Sequence, residues 1–257
     1  MRIVLKIGGN EIDDRNFLAN VSRLVAGTIE KGHKVIMVHG GGKEITRLLD
    51  KLAIETIFVS GMRYTDSASL EAVEMMLSGL INKRLVRSLQ QNGINAIGLS
   101  GIDGRILSAQ RMKRNGEDIG LVGEVSAVNL PVIEMLLERF VVVLSPISLN
   151  AETGDALNVN ADYAAAAVAS SLTSELTIFL SNVPGILNGG TVMKSLDEKE
   201  FLTLKGSGII AGGMIPKIEA ALRAVKSGVR IAFITDDAGA SQIVEGNPAG
   251  TQVTACP

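Results

Sequence analysis

The feature that most constrains this chain is a regular alternation: short β-branched runs are each followed by a longer segment whose apolar residues recur at helical spacing. Strands buried on both faces read as near-continuous apolar runs, whereas the helices that connect them need only one apolar stripe, so the pattern predicts βαβ units and a mainly parallel sheet. It places strands near Arg2–Ile7, Lys34–His39, Asn95–Leu99, Phe140–Leu144, Leu176–Leu180 and Arg230–Thr235. Helices are predicted near Asn16–Lys31, Lys43–Leu52, Ala68–Gln91, Pro131–Glu138, Asp162–Leu172 and Met214–Lys226. In Ala68–Gln91, residues Leu70, Val73, Leu77, Leu80, Ile81, Leu85 and Leu89 share one stripe. That predicts a long amphipathic helix whose stripe is either core or a subunit interface.

Composition excludes several classes. With 25 Lys+Arg against 27 Asp+Glu in 257 residues, the net charge of −2 offers no basic footprint for a nucleic-acid backbone. Mean hydropathy is +0.30, yet uninterrupted apolar runs are short, as in Tyr163–Ala169, well below a membrane span of about 20 residues. The opening MRIVLKIGGN is not a secretory leader, so a cytoplasmic location is expected, with no membrane partner. One cysteine, Cys256, and two histidines supply neither a disulfide framework nor a zinc-ligand cluster; a metal would arrive with the substrate. No Pro/Ser-rich linker divides the chain, and the softest stretch is Gly185–Gly190. Two closely packed lobes are expected, residues 1–175 and 176–257.

Glycines punctuate the strand ends. Lys6-Ile7-Gly8-Gly9 closes the first strand, and His39-Gly40-Gly41-Gly42 the second. Ligands of open parallel sheets bind beyond the carboxyl ends of the strands, where glycines let backbone N–H groups approach an anion; tight strand-to-helix turns would use the same residues. A P-loop is excluded because Gly42-Lys43 precedes Glu44 rather than Ser or Thr. The near match to a dinucleotide fingerprint at Gly206-Ser207-Gly208 has its third glycine one position late, at Gly212, and follows no strand. An esterase oxyanion loop would need a GxSxG elbow, which is absent. Further on, Asn158-Val159-Asn160-Ala161-Asp162 opens a helix, where Asp162 reads most simply as a cap. Gly212-Gly213-Met214-Ile215-Pro216-Lys217 opens another, placing Lys217 at the positive end of a helix dipole and so calling for a nearby anion such as a bound phosphate.

The ordered set LKIGGN, VHGGGKEI, SGMRYTD, INKRLV, GLSGIDG, GLVGEV, NVNAD and GGMIPK resembles the amino acid kinase family, and within it the N-acetyl-L-glutamate kinases, over essentially the whole chain. The resemblance implies an open three-layer αβα sandwich around a mainly parallel eight-stranded sheet. It implies an acyl-amino-acid site and a dimer contact in the first lobe, and ATP, carried with Mg²⁺, in the second. By the same resemblance Lys6 and Lys217 neutralise the transferring phosphoryl group and Asp162 orients them. Arg63 clamps the substrate α-carboxylate, Asn158 holds the acylamino group beside Asn160, and Gly41 and Gly42 border the acceptor. Gly8, Gly9, Ser181, Asn182, Gly185, Gly212, Gly213 and Met214 fall to the phosphates and the nucleotide.

The implied activity is ATP-dependent phosphorylation of the γ-carboxylate of N-acetyl-L-glutamate in arginine biosynthesis. Asn182 stands where the family usually has Asp and resembles the sister kinases acting on carrier-bound aminoadipate or glutamate in lysine biosynthesis, which remain an alternative, as does a non-catalytic sensor on the same fold. The family's arginine-inhibited hexamers carry a helix ahead of the first strand. Here Lys6 lies close to Met1, so a homodimer indifferent to arginine is expected, formed through the Ala68–Gln91 stripe, which would otherwise be an exposed hydrophobic patch.

Overall fold

The structure, a computed structural model, describes residues 1–8, 12–59 and 61–255. Its strands run β1 (Arg2–Ile7), β2 (Lys34–His39), β3 (Phe58–Val59), β4 (Met62–Arg63), β5 (Ala96–Ser100), β6 (Leu107–Arg114), β7 (Glu117–Val128) and β8 (Val141–Ser145). They continue with β9 (Ile147–Asn150), β10 (Ala156–Val159), β11 (Leu176–Leu180), β12 (Leu187–Asn188), β13 (Thr191–Val192), β14 (Ser195–Leu196), β15 (Ala232–Thr235) and β16 (Thr251–Val253). The helices are α1 (Arg15–Glu30), α2 (Gly42–Lys51), α3 (Ser67–Glu74), α4 (Asn82–Gln91), α5 (Leu130–Leu137), α6 (Ala161–Ser171), α7 (Glu198–Gly206), α8 (Met214–Lys226) and α9 (Asp237–Glu245).

An eight-stranded sheet in the order β14-β16-β15-β11-β1-β2-β8-β5 forms the middle layer. It is parallel except where β15 meets β16. Period-two alternation divides each strand between two cores. Ile3, Leu5 and Ile7 of β1 join the core beneath α1, α2, α3, α4 and α9. Val4 faces the opposite core, built with α5, α6 and α8. Lys6 has the parity of Val4, so the pleat alone sends it toward α6 and α8. β1 pairs with β2 on one side and with β11, from the second half of the chain, on the other. A crevice at the carboxyl ends is the consequence.

Two expectations are corrected. The helix over Ala68–Gln91 is continuous in direction but not in type: a π-helical turn, Met75–Ile81, joins α3 to α4. Val73, Leu77, Ile81, Leu85 and Leu89, spaced by four, are all buried in the chain's own core. A four-residue repeat outruns the 3.6-residue α turn, and the wider π turn takes up the difference. The stripe is therefore core and is not the exposed patch anticipated for it; Leu80 falls off it and is 47% exposed, beside Met75 at 59%. The second correction is an addition. Strands β10, β7, β6 and β9 close into a small barrel next to the sheet, which the βαβ pattern did not anticipate.

Candidate active site

Local chemistry sets where each helix begins. Asn160 is the N-cap of α6, its side-chain oxygen accepting from Asp162 N at 2.8 Å and Tyr163 N at 3.3 Å. The capping role expected of Asp162 thus belongs to Asn160. Asp162, in the first helical turn, is free to turn its carboxylate inward, where the helix dipole also favours a negative charge. By contrast α2 and α8 begin at glycines, Gly41 and Gly213, with no side-chain cap. Both of these helix starts border the same cleft, which has a volume of about 500 Å³. First-turn N–H groups left without a side-chain cap are anion sites.

On the cleft floor, Lys6 Nζ lies 2.8 Å and Lys217 Nζ 3.4 Å from the same oxygen, Asp162 Oδ1. Lys217 also donates to Leu180 O at 3.2 Å. The three residues are 5–7% exposed. Burial disfavours a charged Asp162, but the ammonium groups of Lys217 and Lys6 outweigh it and hold the carboxyl below its usual range. Burial dominates at Lys217, with Asp162 opposing and Lys6 assisting, and pushes the amine down to about 8. The anion that Lys217 requires at the start of α8 is therefore supplied by the protein itself, through Asp162, rather than awaiting a phosphate. Next to the triad, Tyr163 O–H donates to Glu219 Oε2 at 2.7 Å, fastening α6 to α8.

Arg63 also lines the cleft, is 9% exposed and is already fixed. Its Nη2 donates to Thr46 Oγ1 at 2.8 Å and Gly42 O at 3.1 Å, and its Nη1 to Thr56 Oγ1 at 3.2 Å. The guanidinium lies 4.9 Å from the centroid of the Phe58 ring. Burial lowers the Arg63 pKa from its ordinary value, with the charge of Asp50 opposing. Asn158 donates to Thr65 Oγ1 at 3.1 Å. His39 is fully buried, and burial pushes it down to about 4, so its ring is neutral. Nδ1–H donates to Gly40 O at 3.1 Å and Nε2 accepts from Asn82 at 3.2 Å. It braces the second glycine turn and is not placed as a proton carrier.

Of the residues singled out in the sequence, Lys6, Gly8, Gly41, Gly42, Arg63, Asn158, Asn160, Asp162, Ser181, Asn182, Gly213, Met214 and Lys217 line this one cleft. Gly185 and Gly212 do not. Gly185 packs against Val192 and Thr251, while Gly212 turns the chain at φ +56° just ahead of α8. Gly9 and Cys256 lie outside the described residues. Sequence reasoning named Gly40 only as part of its glycine turn and passed over Phe58, Leu180 and the buried Thr65, although Thr65 falls inside a motif it had quoted. Among the described residues, no group of three or more His, Cys, Asp or Glu is placed to hold a metal ion, and no helix is long and apolar enough to cross a membrane.

Comparison with known proteins gives consistent results. The model of the amino acid kinase family matches residues 1–236. An acetylglutamate kinase of Roseiflexus castenholzii is 42% identical over 235 residues, 91% of this chain and 89% of that one. A solved structure of smu.665 from Streptococcus mutans superposes with a TM-score of 0.83 at 31% identity, covering 98% of both chains. The N-acetylglutamate synthase of Neisseria gonorrhoeae, solved with coenzyme A and N-acetyl-glutamate, has a TM-score of 0.85 at 22% identity and shares the fold over 60% of its length.

Proposed function

The chain belongs to the amino acid kinase family, and from that premise we propose that it is an ATP-dependent kinase that phosphorylates the γ-carboxylate of N-acetyl-L-glutamate in arginine biosynthesis. Relatives about 40% identical over nine-tenths of the chain bear the acetylglutamate kinase name. The observation that carries the reading in this molecule is the convergence of Lys6 and Lys217 on one oxygen of Asp162, between two glycine-capped helix starts.

The chemistry suits that arrangement. A carboxylate oxygen of the acceptor attacks the γ-phosphorus, the bond from that phosphorus to the bridging oxygen breaks, and ADP leaves with the electron pair. The nucleophile is already ionised, so no general base is required. What the reaction needs is positive charge and fixed N–H donors where negative charge accumulates. Two ammonium groups share one carboxylate here, leaving one positive charge uncompensated on the floor of the cleft. In this reading Lys6 and Lys217 bear on the transferring phosphoryl group and Asp162 sets their positions. The N–H groups at the starts of α2 and α8 meet phosphate oxygens, and Mg²⁺ enters with ATP as part of the substrate.

The acceptor takes the end of the cleft formed by Arg63, Asn158 and Gly41, within residues 1–175. The nucleotide takes the end formed by Ser181, Asn182 and the start of α8, within residues 176–257. A cytoplasmic homodimer completes the proposal; the exposed Met75 and Leu80 on the π turn are apolar surface that a second copy would cover. Asn182, which borders the cleft, is the residue in favour of the second acceptor class, carrier-bound aminoadipate. Comparing kcat/KM for free N-acetyl-L-glutamate and N-acetyl-L-aminoadipate decides between them: the proposal requires the five-carbon acceptor to be preferred, and the reverse preference would transfer the assignment to the sister kinases.

A further inference from the structure

Thr65 is fully buried and stands behind two residues that face the acceptor end of the cleft. Its hydroxyl donates to Arg63 O at 3.1 Å and accepts from Asn158 Nδ2 at 3.1 Å. The backbone holds it on both sides: Thr65 N donates to Ile119 O at 3.2 Å, and Thr65 O accepts from Leu121 N at 2.6 Å. Gly120 lies between those two partners at φ +75°, where a Cβ would collide with the Thr65 carbonyl. The approach of β7 to Thr65 is therefore open only to glycine.

A hydroxyl has one hydrogen. That of Thr65 is committed to Arg63 O, so only its lone pairs face Asn158, and only the NH₂ end of the carboxamide can meet them. The carboxamide oxygen of Asn158 is left as the group presented to the cleft. We propose that Thr65 is a positioning residue that fixes the polarity of Asn158, making the acceptor end of the cleft selective for a ligand bearing an N–H donor. A secondary amide satisfies it; an ester of the same shape brings lone pair against lone pair. This inference rests on the acyl-amino-acid reading of the cleft given above.

The test compares N-acetyl-L-glutamate with (S)-2-acetoxyglutarate, in which oxygen replaces the N–H, using Mg-ATP and the full chain. Wild type is expected to favour the amide in kcat/KM by on the order of 10–100-fold, the effect of replacing a hydrogen bond by a repulsive contact. Thr65→Val removes both hydrogen bonds at constant shape and lets Asn158 turn. The preference should fall to within about threefold, chiefly through a higher KM for the amide and with the ATP KM unchanged; Thr65→Ser should restore it. A purely structural role would weaken both acceptors alike and leave the ratio intact, and that result overturns the inference. If Thr65→Val does not fold, the wild-type ratio still decides, because a ratio near one is incompatible with an outward carboxamide oxygen. Turnover of the amide with a flat ratio removes only Thr65's role, whereas turnover of neither acceptor removes the acetylglutamate reading along with it.

Discussion

Lys217 approaches the same Asp162 oxygen that Lys6 holds, although the two lysines come from elements 211 positions apart in sequence, β1 and α8. The sharing has a chemical consequence. Neither lysine is fully neutralised, so both keep charge available for a ligand, while the aspartate prevents them from repelling each other out of the cleft.

Lys217→Ala should therefore lower kcat by on the order of 10²–10³ while leaving the acceptor KM within a few-fold, because its charge matters most where negative charge builds up in the transition state. Steady-state kinetics check this. A near wild-type kcat would remove Lys217 from the reacting centre.

Alkaline pH should imitate that substitution. Burial brings Lys217 down to about 8, so kcat/KM should decline as pH rises through about 8 and the ammonium is lost. Lys217→Arg remains charged there and should move that limb upward, whatever it does to the maximal rate. The linkage to stability has the opposite sign. The folded-state pKa of this base lies below its ordinary value of 10.5, so the unfolded chain binds the proton more tightly, and Lys217's own contribution to stability rises from about pH 8 towards 10.5.

Asp162→Asn separates structure from chemistry. It leaves two buried ammonium groups without their carboxylate, and removing one partner of a buried ion-paired set costs about 3–5 kcal/mol. Denaturant titration should show a loss of that size. The sign for the native aspartate follows from its lowered pKa: its contribution is present above the ordinary carboxylate range and is lost as pH falls through the depressed folded value. A variant as stable as wild type would mean that the lysines are held apart by other contacts.

Arg63→Ala should raise the acceptor KM by about 10–100-fold and change kcat little, since a carboxylate remote from the reacting atoms is bound equally in the ground and transition states. Arg63→Lys should not rescue it, because one ammonium cannot reproduce three contacts to Thr46, Gly42 and Thr56. A change confined to kcat would place Arg63 at the phosphoryl group instead.

What the sequence revealed, and what it hid, follows from period and distance. Six of the sheet's eight strands and the helices that cross between them were legible because buried parallel strands are apolar throughout; the short β14 and β16 and the helices α7 and α9 were not anticipated. The hairpin of β6 and β7 was not, because Gln110, Arg111, Lys113, Arg114, Glu117 and Asp118 interrupt the apolar alternation near its tip. Its available signal was the Asn115-Gly116 pair, with φ of 52° and 85°, the left-handed turn that suits two-residue hairpins. In the site, Lys6, Asp162 and Lys217 were found through motifs, yet the choice of Asn160 rather than Asp162 as cap depends on which side chain finds a better partner across the cleft, and no local rule contains that. Thr65 was hidden for a related reason: its importance comes from Gly120 and Asn158, 55 and 93 positions away.

In the proposed reaction an oxygen of the acceptor's γ-carboxylate becomes bonded to the γ-phosphorus of ATP. That bond formation is tested most directly with N-acetyl-L-glutamate labelled by ¹⁸O in that carboxylate, Mg-ATP and hydroxylamine, with the released phosphate read by ³¹P NMR. Hydroxylamine cleaves the acyl phosphate at carbon, so the expected products are a hydroxamate and one equivalent of phosphate carrying a single ¹⁸O. Phosphate without ¹⁸O and no hydroxamate, with ATP consumed, would contradict it, because the γ-phosphoryl group would then have passed to water rather than to the acceptor bound beside Lys6 and Lys217.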